Sequence, residues 1–278
     1  MRAVCTIAGA PLHAVPRQLP EPLAGLESKP LIGAGVVVQV QRKVTSEILD
    51  SPDCPAGEVA TSLRDLSRIN RWFGGVATTQ AMLERVASAT GQKRLSVLEV
   101  AAGFGEVPKV AARHLARQGI TLEVTLLDRM RSHLRPGNPS VVADALALPF
   151  PDGAFDLVSC SLFAHHLDPC ELKRFACEAL RVSRCALLIN DLIRHPLHLA
   201  LVYAGFPLMR SYVSRGDGVA SVRRAYVPEE MRKLLTSTFP DGSARRLEIS
   251  RHHLFRMGVI VWKRADEPNA GACPSSES

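Results

Sequence analysis

The segment from Leu95 to Gly105, LSVLEVAAGFG, constrains the fold of this chain more than any other. It contains an apolar run, an acidic residue and a small-residue loop with two glycines. Buried parallel strands are nearly continuous apolar runs. Glycines directly after such a strand let the backbone approach a ligand, and a helix beginning near Glu106 would point its N-terminal amides at the same place. The segment therefore predicts a strand, a ligand-binding loop and a helix.

The glycine loop departs from the dinucleotide fingerprint. That fingerprint needs a third small residue three positions after the second glycine, and Pro108 stands there. The carboxylate of Glu99 would also lie close to a bound pyrophosphate. An anionic cofactor is therefore disfavoured, and a ligand with a cationic amino-acid head, such as S-adenosylmethionine (SAM), fits better.

Two more carboxylates are predicted at successive strand ends. The apolar run from Ile120 to Leu127 ends at Asp128, where an acidic side chain can accept hydrogen bonds from both ribose hydroxyls. A short strand is expected to end at Asp144, which would accept from an adenine amino group. A Pro-Asp-Gly turn and a strand from Phe155 to Ser161 follow. With Glu99, these carboxylates predict one nucleoside-sized site at the carboxyl edge of the sheet.

These motifs resemble those of the class I SAM-dependent methyltransferases, and DALALPFPDGAFDLV resembles the quinone-biosynthesis type. The flanks RINRWFGG (68–75) and DGVASVRRAYVPEE (217–230) are similar to bacterial small-molecule methyltransferases encoded beside type III polyketide synthases. The resemblance covers about residues 38–264 and implies SAM as the cofactor. The cofactor-binding residues it implies are Glu99, Ala101, Gly103, Gly105, Asp128, Arg129, Asp144, Ala145 and Ser161. Ala101 stands where many members have glycine.

The expected fold is α/β, a doubly wound and mostly parallel seven-stranded sheet, Rossmann-like as in class I methyltransferases. We expect a disordered extension over residues 1–37, a helical cap over 38–92, the methyltransferase domain over 93–264 and a disordered tail over 265–278. Residues 191–230 are expected to form a helical, acceptor-side insertion after the fifth strand. Because the resemblance begins near residue 38, a translation start further along the chain is an alternative.

Local sequence patterns predict further helices and strands. Residues 43–86 are expected to be helical and interrupted at Gly74, with Leu63, Ile69 and Trp72 on one apolar face. A helix over 169–184, a strand over 186–190 and a helix over 228–235 should follow. A closing hairpin is expected within 245–249 and 254–263.

His165 and His166 are the candidate catalytic residues. They follow the fourth predicted strand, so they should lie at the mouth of the site. An imidazole that titrates near pH ~6.5 can take a phenolic proton, so either side chain could act as a general base. A structural or cofactor-shaping role is the alternative for both.

Two groups of residues are candidates for binding the acceptor. Asp191, Arg194 and His195 directly follow the fifth predicted strand. Arg223, Arg224 and Tyr226 form the second group, in which a guanidinium could fix an acceptor carboxylate. The alternative for the second group is a salt-bridged loop with Asp217 or Glu230.

Net charge and composition limit the classes of partner that the chain can have. The chain has 278 residues and a formal net charge of +7, and residues 210–256 hold ten Lys or Arg against five Asp or Glu. A solvated face, an anionic acceptor or contact with anionic lipid would each explain this excess. Aromatic residues make up 5% of the chain with no stacking motif, so nucleic acid is disfavoured. No apolar run approaches the ~18 residues of a membrane span.

The seven cysteines have neither CxxC pairs nor metal spacing, so no metal site is expected and the thiols indicate a reduced, cytoplasmic setting. The leading hypothesis is a SAM-dependent methyltransferase that acts on oxygen or carbon of a small, aromatic, polyketide-like or lipophilic acceptor. A non-catalytic SAM-fold scaffold is one alternative, and an NAD-dependent oxidoreductase is another. The sequence leaves the oligomeric state open.

Overall fold

The computed structural model describes residues 40–264, apart from residues 46, 52, 136, 138 and 240–243. The predicted extension 1–37 and the tail 265–278 lie outside the described residues. No helix in the described part of the chain is both long enough and apolar enough to cross a membrane.

A seven-stranded sheet forms the centre of the structure. Its strands are β1 (Arg94–Val100), β2 (Thr121–Asp128), β3 (Ser140–Val142), β4 (Phe155–Ser161), β5 (Ser183–Leu192), β6 (Ala244–His252) and β7 (Arg256–Lys263). They lie in the order β3-β2-β1-β4-β5-β7-β6, and only β7 is antiparallel to its neighbours. This arrangement confirms the predicted seven-stranded, mostly parallel sheet. The strand order reverses between β1 and β4, which is where ligands bind in open α/β sheets.

Helices cover both faces of the sheet. They are α1 (Ala56–Trp72), α2 (Gly75–Thr90), α3 (Glu106–Ala116), α4 (Pro169–Val182), α5 (Pro196–Ala204), α6 (Tyr212–Arg224) and α7 (Pro228–Thr238). On one face, side chains of α2 and α3 pack against Val97 of β1 and Leu157 of β4. On the other face, side chains of α4 and α7 pack against Leu98 and Val158. The alternation of side chains along each strand therefore supplies both cores.

Several local expectations are corrected by the structure. The first α-helix begins only at Ala56, so the stretch from residue 43 to residue 55 contains no more than a short 3₁₀ turn among its described residues. Trp72 is 60% exposed and lies outside the apolar core, because α1 ends at this residue. Strand β3 ends at Val142, so Asp144 lies in the following turn and not at a strand end.

The stretch between β5 and α7 contains α5 and α6, which pack against each other. Both Asp217 carboxylate oxygens, on α6, accept backbone N–H groups, from Ile48 at 2.8 Å and from Leu49 at 2.9 Å. These hydrogen bonds hold the chain before α1 against α6. As a result, Glu47 reaches the carboxyl edge of the sheet.

Candidate functional site

A cavity of ≈ 750 Å³ opens at the carboxyl edge of the sheet, beside the reversal in strand order. Small-molecule sites span roughly 300–1,000 Å³, so this cavity is of ligand-binding size. Its wall combines the loops after β1, β2, β3 and β4 with side chains from α1, α5 and α6. The predicted insertion and the helix before the sheet thus both contribute to the site.

The loop after β1 is shaped by left-handed backbone conformations. Ala101 and Gly103 both have φ of 52°, and Gly105 has φ of 68°. A Cβ on Gly105 would lie 2.6 Å from Leu126 Cδ1, so a side chain here would have to displace the buried Leu126. Ala101 and Gly103 line the cavity, whereas Gly105 lies behind it at the start of α3.

Asp128, at the end of β2, holds this loop in place. Its Oδ2 accepts the Gly103 N–H at 3.0 Å, and its Oδ1 accepts the Met130 N–H at 2.9 Å. The carboxylate is buried at the cavity wall, and Oδ1 also lies 3.3 Å from His133 Nδ1. Asp128 therefore orders the loop, and Oδ2 keeps a lone pair that can accept from a ligand hydroxyl.

Glu99 is a buried carboxylate that lines the cavity within β1. Burial raises its pKa to about 7, while the nearby Ser159 and Ser161 hydroxyls oppose the rise. Its Oε2 and the Ser161 hydroxyl have no hydrogen-bond partner among the described residues. A buried carboxylate oxygen at a cavity wall can accept a hydrogen bond from a donor on a ligand.

Three other predicted cofactor residues also line the cavity. Ala145 is buried there, and Arg129 and Asp144 are exposed at its rim. Asp144 Oδ1 accepts the Leu146 N–H at 2.9 Å, which forms a tight local turn.

His165 also lines the cavity and is buried, in the turn after β4. Its Nδ1 lies 2.7 Å from Asp191 Oδ1, and its Nε2 lies 3.4 Å from Glu47 Oε1. Burial opposes the charged ring, but the two carboxylates raise the His165 pKa to about 9. Burial would likewise raise the Asp191 pKa, but His165 holds it below its usual value.

Glu47 also belongs to this group, although no sequence motif pointed to it. Its Oε2 lies 3.4 Å from Nε2 of the half-buried His166. Arg224, a predicted acceptor-binding residue, also lines the cavity, and its Nη1 lies 3.9 Å from Glu47 Oε1. Its guanidinium donates to the Thr45 and His166 carbonyls at 3.0 and 2.8 Å. Arg224 thus ties the segment before α1 to the histidine turn.

The other predicted acceptor residues do not line the cavity. Asp191 positions His165, and Arg194 pairs with Glu230 at 2.7 Å. The His195 side chain accepts the Leu197 N–H and caps α5. The Tyr226 hydroxyl donates to the Leu167 carbonyl at 2.8 Å. The Arg223 carbonyl accepts the Lys43 N–H at 3.0 Å.

Arg256, which sequence reasoning missed, is buried at the cavity wall where β7 begins. Its Nη2 donates to Asn70 Oδ1 at 2.9 Å and its Nε donates to the Phe73 carbonyl at 3.3 Å. Its Nη1 has no hydrogen-bond partner among the described residues. Burial lowers the Arg256 pKa to about 10, so the guanidinium stays charged near neutral pH.

Comparison with known proteins assigns the domain. Residues 98–185 match a family model described as a methyltransferase domain. The chain carries a methyltransferase domain. The matched segment runs from β1 to β5 and contains the glycine loop, Asp128, Asp144 and both histidines. It is the segment whose motifs indicated SAM as the ligand.

Solved structures share the fold at low sequence identity. The plantazolicin methyltransferase BpumL, in complex with a triazolic desmethylPZN analog and SAH, superposes with a TM-score of 0.57 at 12% identity, covering 78% of this chain and 93% of that one. The citrinin polyketide synthase CMeT domain gives 0.51 at 16% identity, covering 79% of this chain and 59% of that one. No curated protein matches the chain in sequence.

The residues present fit SAM. The unpaired Glu99 Oε2 and Ser161 hydroxyl suit an ammonium head, and Asp128 suits ribose hydroxyls. Together with the matched domain, this site makes the protein a SAM-dependent methyltransferase. When bound, SAM supplies a methyl group on a sulfonium, an activated donor whose chemistry belongs to the cofactor. The chain's own residues have to place an acceptor in line with that methyl group and exclude water.

Proposed function

We propose that the protein methylates a small acceptor with an apolar body and an anionic end, at an oxygen or carbon near the histidine turn. The observation that carries this proposal is the buried, unpaired Nη1 of Arg256 at the cavity wall. A buried guanidinium with a free donor is costly unless a ligand supplies an acceptor. A carboxylate or phenolate on the acceptor meets this requirement.

The rest of the acceptor's surroundings supports an apolar body. Leu201, Val202 and Leu208 line the cavity on and beside α5, and Met209 and Val222 extend the apolar wall. Such a wall gains affinity by removing apolar ligand surface from water, at roughly 25 cal/mol per Å². An aromatic or polyketide-like ring system with one acidic group fits this wall and Arg256 together.

His165 and His166 are proposed to bind the oxygen at the reacting end of the acceptor. Both line the cavity after β4, and Asp191 fixes the ring orientation of His165 through the 2.7 Å contact. Because the histidines line the same cavity as Glu99, the acceptor oxygen is proposed to lie between the histidine turn and the cofactor half of the cavity. In-line placement of this kind accounts for much of the rate in a transfer from an activated donor.

Labelled SAM and a small-molecule extract from the natural source test the proposal. We expect the wild-type chain to label an apolar, acidic product that mass spectrometry identifies. With that acceptor, Arg256→Met should raise KM at least tenfold, because the anionic end loses its partner, while Arg256→Lys should retain part of the affinity.

Arg251→Met is the matched control, since Arg251 is exposed on β6, and SAM affinity reports folding in every variant. The anionic-acceptor proposal would be overturned if the labelled product is neutral. It would also be overturned if the acceptor is acidic but its KM is unchanged in a folded Arg256→Met variant.

A further inference from the structure

Three potential metal ligands converge at the acceptor side of the cavity. Glu47, His165 and His166, here called the Glu47 cluster, each offer one ligand atom, and these atoms lie within 4.8 Å of one another. His165 Nε2 is 3.4 Å from Glu47 Oε1, and His166 Nε2 is 3.4 Å from Glu47 Oε2. The cluster joins a segment before α1 to the turn after β4.

We propose that the Glu47 cluster binds a divalent transition-metal ion, for which Zn²⁺ is the probe. Two imidazoles and one carboxylate are an established donor set for zinc and for non-haem iron. With metal–ligand bonds of about 2.0–2.15 Å, tetrahedral geometry places neighbouring ligand atoms about 3.3–3.5 Å apart. Each histidine Nε2 lies within this range of one Glu47 oxygen, Oε1 for His165 and Oε2 for His166, so an ion held by both histidines would be shared by the two carboxylate oxygens.

The surroundings of His165 support this assignment independently. Nδ1 lies 2.7 Å from Asp191 Oδ1, so an Nδ1–H donated to this carboxylate leaves the lone pair on Nε2. Nε2 is fully buried, and it lies 3.4 Å from Glu47 Oε1 without meeting hydrogen-bond geometry. Asp191 also accepts the His165 and Leu192 N–H groups, which fixes its orientation. A carboxylate behind a histidine is the usual outer partner of a metal ligand.

Glu47 is also held in position. Ser221 Oγ, on α6, donates to Glu47 Oε1 at 2.8 Å. The Arg224 guanidinium also lies 3.9 Å from Glu47 Oε1. A metal ion would take the place of the proton that His165 holds between the Asp191 and Glu47 carboxylates.

The ion would face the cavity, because all three ligands line it. Three protein ligands leave a coordination position open, as in catalytic zinc sites. That position would take the acceptor's oxygen, so the histidines would hold this oxygen through the ion; this role rests on the proposed function, whereas binding of the ion does not.

The test measures metal binding by the full-length chain after removal of metal with a chelator. Calorimetry with Zn²⁺ and visible absorption with Co²⁺ should each show one ion per chain. Glu47→Gln and His166→Gln should weaken binding at least tenfold, since each removes a ligand. Asp191→Asn should weaken it about 10–100-fold by disturbing only the outer partner of His165.

His253→Gln is the matched control, because His253 is exposed in the β6–β7 turn, and it should bind like the wild type. SAM affinity reports folding of every variant independently of the metal. The proposal is overturned if the wild-type chain binds no stoichiometric ion. It is also overturned if binding survives both Glu47→Gln and His166→Gln, or is lost instead on changing the exposed Cys170 and Cys177 to Ser. Retained metal binding with a different acceptor class would contradict the proposed function alone.

Discussion

SAM affinity should depend on pH through Glu99. This carboxylate lines the cavity, is fully buried and has a pKa raised by burial to about 7. A cationic ammonium head needs the ionised form, so the apparent affinity scales with the ionised fraction. That fraction is about 3% at pH 5.5 and 50% at pH 7.0, which predicts roughly sixteen-fold tighter binding at pH 7.0. With the ordinary pKa of ~4.5, the change would be only about 1.1-fold.

Equilibrium dialysis with labelled SAM at several pH values between these limits measures the effect. The amino group of the ligand stays charged over this window, since α-amino groups titrate near ~7.7–8.0. Glu99→Gln should bind more weakly at pH 7.0 and lose the slope, because its side chain does not ionise. An equal slope in Glu99→Gln, or a flat wild-type profile, would refute the assignment of Glu99 to the ammonium.

The raised pKa of Glu99 also predicts how the stability of the folded chain changes with pH. A raised carboxyl pKa means that the ligand-free folded state binds more protons than the unfolded state between pH ~4.5 and ~7. Stability due to Glu99 is therefore lost as pH rises through this window, by up to about 3 kcal/mol. Relative to the wild type, Glu99→Gln should gain thermal stability at pH 8 and show little change at pH 4.5.

Three further predictions concern the loop and the helix before β6. Gly105→Ala should lower Tm more than Gly91→Ala, because both have positive φ but only at Gly105 would a Cβ contact Leu126 at 2.6 Å; equal shifts would contradict a steric cause. Asp128→Asn should weaken SAM binding at least tenfold, since a charge-assisted hydrogen bond is worth roughly 1.5–3 kcal/mol, while the exposed Asp152→Asn should not change it. Arg194→Met should lower thermal stability by about 1–3 kcal/mol, because it removes the contacts with Glu230 and the Val40 carbonyl. A changed acceptor KM in this variant would instead give Arg194 a binding role.

Local sequence patterns determined much of the parallel core. Strand β4 has the predicted bounds of Phe155 and Ser161, and α3 begins at Glu106 as expected. In both places an apolar run meets glycines or a turn within a few residues, so neighbours along the chain decide the structure. The helix predicted over 169–184 ends at Val182, because Ser183 already pairs with Phe155 at the start of β5.

The acceptor side was less predictable because its contacts join distant segments. Glu47 and Arg256 reach the cavity through tertiary packing, and neither stands in a recognisable motif. Glu230 was an expected partner for Arg223 or Arg224, but Arg194 holds it. The spacing of apolar residues in α1 predicted that Trp72 lies on the buried face. This spacing contains no information about where the helix ends, and the helix ends at Trp72.

Calorimetric titration of the purified chain with SAM and, separately, with NADH tests the central claim most directly. We predict one SAM bound per wild-type chain, weaker binding in Asp128→Asn and Glu99→Gln, and no binding of NADH. Binding of NADH without SAM, or SAM affinity that is unchanged in both variants, would contradict the assignment of this cavity as a SAM site.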